Sequence, residues 1–161
     1  MNNFFLLALV QNASLLVAMV VLFDITVRRW RSGDTWWRHV LLGFILGAIG
    51  IVVMNIPWIT GDGLRIDTRS ILLSISGLFF GLIPTLIAMI ATSLYRIYLG
   101  GSGVITGVLV IIATGTLGLF WRHIRKHELV AIKWKELYLF GIVLHLVMLA
   151  LMLTFPKEIA L

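Results

Sequence analysis

The chain has 161 residues, of which 60% are hydrophobic and 12% charged, and its mean hydropathy is +1.06. Soluble domains carry roughly 45–50% apolar and about 25% charged residues, so this composition excludes an ordinary soluble globule, a disordered chain and a fibrous repeat. The absence of cysteine removes disulfides, thiolate chemistry and Cys-based metal sites, and a formal net charge of +6 leaves a basic surface to be explained.

These quantities point to an all-α polytopic membrane protein. At roughly 20 residues per span, the length leaves room for five to seven crossings and for no soluble catalytic domain. The first apolar segment covers about 4–27. No small-residue cleavage site leads into a polar mature region, so it reads as a retained helix. The second segment covers about 40–59, the fifth about 104–121 and the sixth about 137–155.

Of the 13 Lys and Arg residues, nine fall in two short polar windows. Arg28, Arg29, Arg31 and Arg38 occupy one; Arg122, Arg125, Lys126, Lys133 and Lys135 occupy the other. Short basic loops between apolar segments mark the cytoplasmic side, which explains the charge without a nucleic-acid partner. The N-terminus is then outside, the 28–39 loop inside and the 60–69 loop outside. The six tryptophans, Trp30, Trp36, Trp37, Trp58, Trp121 and Trp134, fall near the expected interfaces, as an aromatic belt does.

The stretch 70–99 is too long for one span: about 45 Å as a helix, against a hydrocarbon core of about 30 Å. Gly77, Gly81 and Pro84 interrupt it, and proline breaks or kinks a helix interior. A split near 82–84 into a short broken hairpin, spanning or re-entrant, follows. Parity agrees, because a single crossing would place the basic loop at 122–135 outside. The expected architecture is six hydrophobic helices in one transmembrane domain over 1–161. The pairs Gly43/Gly47, Gly77/Gly81 and Gly103/Gly107 are each spaced for close helix approach.

Four basic residues lie outside the two windows: Arg65, Arg69, Arg96 and Lys157. Arg96 sits within an apolar run about one turn before Gly100-Gly101-Ser102-Gly103. An intramembrane arginine normally faces protein, water or a ligand, although a shallow one also snorkels to the interface. In the hairpin arrangement Arg69 begins one arm and Arg96 ends the other, so the two lie at similar depth on the outer side. Asn55 ends the second segment in the same layer, and Arg65 is a rim contact. Two guanidiniums and a carboxamide around a crevice suit a small anion, since arginine binds carboxylate through two parallel donors. The Gly100–Gly103 turn either offers backbone amides to that ligand or simply joins two helices. Asp67 and Thr68 are placed to cap the helix they precede, and Asp67 alternatively pairs with Arg69 or Arg96. The expected ligand-binding set is Asn55, Asp67, Arg69, Arg96, Gly100, Gly101, Ser102 and Gly103.

Other polar residues carry less. His145 within the sixth segment reads as a hydrogen-bonded packing residue ahead of a proton or ligand site. Gln11 and Asn12 lie in the outer half of the first segment, within reach of the pocket or of neighbouring helices. His39, His123 and His127 fall in the basic loops. No ligand spacing for a metal, no nucleophile–base pair and no phosphate loop is present, so neither enzyme activity nor a cofactor is expected.

The run Asp67-Thr68-Arg69, then Gly77-Leu78-Phe79-Phe80-Gly81, Tyr95-Arg96 and Gly100-Gly101-Ser102-Gly103, resembles the core of LytS-YhcK-type membrane receptor domains. Asn55 and Phe155-Pro156-Lys157-Glu158 resemble it too, so the similarity covers most of the chain from the second segment onward. The resemblance implies a bacterial sensor input domain in the cytoplasmic membrane, a homodimer that precedes a histidine kinase or diguanylate cyclase. Some members of that family are taken to sense small carboxylates, and Arg69 and Arg96 match its paired arginines. It also implies a further apolar segment and an output domain after Pro156, so this chain is expected to be part of a longer receptor. The substrate-binding subunits of energy-coupling-factor importers offer a transport alternative.

Overall fold

The computed structural model describes residues 36–55, 58–59, 65–66, 68–101, 103–125 and 132–154, together with seven separate positions between 10 and 25. The first helix, α1, is Trp36–Met54. Strands β1 (Trp58–Ile59) and β2 (Arg65–Ile66) pair antiparallel, with Trp58 opposite Ile66 and Ile59 opposite Arg65. Helix α2 (Arg69–Ile75) runs directly into a π-helical turn, Ser76–Phe80. After Gly81 come α3 (Leu82–Leu99), α4 (Val104–Ile124) and α5 (Trp134–Thr154).

Among the described residues, α1, α3, α4 and α5 are long and apolar enough to cross a membrane. The architecture is thus an all-α membrane protein with a two-residue ribbon in one loop. Among the described residues, four long helices and one shorter one account for five of the six expected hydrophobic segments. The first segment lies mostly outside the described residues, and the first arm of the hairpin is a shorter apolar helix, Arg69–Phe80. At 1.5 Å per residue that arm extends at most about 18 Å, short of a core of about 30 Å.

The hairpin is present, but its break differs from the one expected. Gly81, with φ 88° and ψ −167°, ends the π turn and starts α3. That backbone conformation strains any residue with a Cβ, and glycine adopts it freely. Pro84 lies in the first turn of α3, where a missing N–H leaves no intrahelical bond unmade, so it helps to start the helix and does not break it. Thr85 secures the junction: its hydroxyl donates to Gly81 O at 2.7 Å and shares a 3.1 Å hydrogen bond with Ser76 Oγ across the break.

Packing follows the small residues. A Cβ on Gly43, Gly47 or Gly50 would press on Ile87, Ala91 or Thr92, so one face of α1 lies closely along α3. Gly77 meets α4 backbone at Gly115, Gly118 and Leu119. Leu42, Leu46, Leu72, Leu73, Ala88 and Ile111 form the buried centre of this arrangement. The hydroxyls of Thr92 and Thr114 donate to the carbonyls four residues earlier, which satisfies them inside the bundle.

Candidate functional site

The site at one end of the bundle is set by three elements. Helix α2 begins at Arg69, whose residue exposure is 8%. Helix α3 carries Arg96 in its last turn, where a cation also suits the negative end of the helix. Helix α4 starts beyond the glycine turn and brings Gly107 against both. A Cβ on Gly107 would lie 2.6 Å from Arg96 Nε, 3.1 Å from Arg96 Cδ and 3.2 Å from Arg69 Nη2. Two guanidiniums therefore converge on one point of the α4 backbone. A β-carbon there would force at least one of them aside.

The turn between α3 and α4 is shaped around Arg96. Gly100 and Gly101 have φ of 64° and 92°. Arg96 Nη1 donates to Gly100 O at 3.3 Å, and Arg96 Nη2 passes 3.3 Å from the Cβ position of Gly103. Gly100 N–H donates to Ile97 O, which closes α3, and Gly107 N–H donates to Gly103 O, which opens α4. The N-terminus of this 21-residue helix adds partial positive charge beside the two arginines. The arrangement brings planar guanidinium donors from two helices to one point on α4, the kind of donor that holds a carboxylate.

Of the expected set, Arg69, Arg96, Gly100 and Gly103 come together here, with Gly101 exposed at the tip of the turn. Asp67 and Ser102, with any pairing of Asp67 to an arginine, lie outside the described residues. Thr68 does not cap α2 with its side chain, because its hydroxyl makes no bond to the free amides; its carbonyl accepts from Ile71 and Leu72 instead. Asn55 is exposed and committed elsewhere. Its Nδ2 donates to Ile51 O at 2.9 Å, and its Oδ1 accepts from Tyr95 Oη at 2.7 Å. It ties the end of α1 to the residue beside Arg96. Arg65 enters strand β2. The residue that sequence reasoning missed is Gly107. Its spacing from Gly103 was visible as a packing signal, but nothing in the sequence aims two arginines at it.

The opposite end of the bundle holds a second set of polar contacts. Arg122 Nη1 donates to Leu78 O at 3.1 Å and Phe79 O at 2.9 Å, which fills the carbonyls left open where the π turn stops. Arg125 pairs with Glu136, which also accepts from Trp121 Nε1 at 3.1 Å. Two residues assigned only to membrane orientation therefore also join helices. His145 Nδ1 lies 2.7 Å from Gly141 O, so it is hydrogen-bonded as expected, but it is exposed and not a packing residue. Among the described residues no cluster of His, Asp or Glu is arranged to hold a metal ion.

Comparison with curated proteins and with solved structures returns no match. The family model described as 5TMR of 5TMR-LYT matches residues 20–161, which include every element above, and the chain belongs to that family as a LytS-type five-transmembrane receptor domain.

Proposed function

We propose that this membrane sensor domain binds a small anion of carboxylate type in the crevice bounded by Arg69, Arg96 and Gly107, on the outward side. The reading rests on one observation: guanidinium atoms from two helices lie within 3.2 Å of the same glycine Cβ position. Two planar guanidiniums set side by side favour an anion, because each can meet a carboxylate through paired N–H donors. The glycine turn and the start of α4 supply further positive character. Binding would then bias a helix arrangement, because a ligand shifts an equilibrium by its difference in affinity for the two states. In a homodimer that bias would pass to a cytoplasmic histidine kinase or diguanylate cyclase.

A thermal-shift screen of the purified domain tests the reading. Small mono- and dicarboxylates are expected to raise the unfolding temperature, and their amides and the corresponding amines are not. Equal shifts from a carboxylate and its amide would refute a site built for negative charge.

A further inference from the structure

Arg122 does more than orient the chain. It reaches from α4 to the last two carbonyls before Phe80, and the Cβ position of Gly81 lies 3.4 Å from its Cζ. The segment it grips departs from regular helix geometry. The π turn is a rare geometry, Gly81 has a positive φ, and Ser76 and Thr85 share a side-chain hydrogen bond across the break. The gripping helix is also the one that meets the arginines. Gly107 and Arg122 are fifteen residues apart on α4, about 22 Å of continuous helix. Gly81 and Arg96 are separated by the same fifteen residues along α3. Two helices running in opposite directions thus connect the arginine crevice to the break.

We propose that Arg122 is a latch on the broken helix: its guanidinium holds the π turn closed against α4, and movement of α4 at Gly107 releases it. Arg69 and Arg96 both pack where a Gly107 Cβ would stand, so a carboxylate seated between the two guanidiniums alters how they press on α4, and α4 shifts or a guanidinium turns. The coupling to the crevice rests on the ligand reading above; the latch itself does not. By linkage, a latch that opens on binding also weakens binding when it is locked shut.

The absence of native cysteine allows a direct test. Ser76→Cys with Thr85→Cys places a thiol pair across the break, where the native oxygens are 3.1 Å apart. In the full chain in lipid nanodiscs, Arg122→Gln is expected to slow disulfide formation by about fivefold or more, the low end of ordinary coupling. Arg122→Lys, which keeps a charged donor, is expected to cross-link close to the parent rate. If Arg122→Gln does not purify as a folded species, Arg122→Met is read in the same way. An unchanged rate in the variant that lacks the donor overturns the latch, whatever the ligand result. With acetate and succinate as probes, the oxidised pair is expected to bind about fivefold more weakly than the reduced pair. Equal affinity in both forms overturns the coupling and leaves the ligand reading standing; no binding to the reduced form counts against the ligand reading instead.

Discussion

Gly107 and Gly118 lie on the same helix, and a methyl group on each meets a different kind of neighbour. At Gly107 the obstacle is the flexible end of Arg96; at Gly118 it is the backbone carbonyl of Ser74. A side chain can swing away, whereas backbone packed in a bundle cannot. Gly118→Ala is therefore expected to destabilise the fold by about 1–3 kcal/mol, the usual range for overpacking. Gly107→Ala is expected to leave thermal unfolding nearly unchanged and to weaken carboxylate binding, because it displaces the guanidinium that it touches. Denaturation and calorimetry on the two variants separate these effects. A loss of stability at Gly107 equal to that at Gly118 would mean that the arginines are packing elements. Neither outcome was legible from the spacing of small residues, which marks close approach but does not say what approaches. The same limit hid Tyr95 as the partner of Asn55, forty positions along the chain.

Helices α2 and α3 show what the sequence of an element does and does not carry. Length alone required 70–99 to fold back, and the density of glycine and proline located the reversal within a few residues. Which residue turns the chain depends on a φ of 88°, a tertiary outcome with no local signature beyond the presence of glycine. Substitutions tell the two apart. Gly81→Ala must hold an L-residue in a backbone region that is essentially glycine-only and is expected to cost about 1–3 kcal/mol. Pro84→Ala restores an amide in a first turn and is expected to cost less than about 1 kcal/mol. A larger loss at Pro84 than at Gly81 in thermal unfolding would place the break back where the sequence first suggested it. The half-length of the α2 arm was readable as well, because the polar stretch 60–69 and the break near Gly81 bound it on both sides.

For the whole molecule, the basic windows determine a prediction about sidedness. The Gly-rich turn belongs outside and the segment before α5 inside. A membrane-impermeant maleimide is expected to label Ser102→Cys in intact cells and Lys133→Cys only after permeabilisation; the reverse pattern would invert the site and the sensor reading with it. Composition made the membrane environment readable without any contact information, and charge supplies the orientation that this labelling tests. The convergence of Arg69 and Arg96 was readable too, since a hairpin fixes both at one depth. Their meeting at Gly107, and the second use of Arg122 and Arg125 as ties between helices, depend on how α4 crosses its neighbours. The central claim concerns the two arginines, and isothermal titration addresses it most directly. The best carboxylate from the screen is titrated into the parent, Arg69→Ala and Arg96→Ala in nanodiscs. Each charge-assisted pair contributes about 1.5–3 kcal/mol, so each variant is expected to lose roughly tenfold or more in affinity while remaining folded. Unchanged affinity in both folded variants would contradict the account.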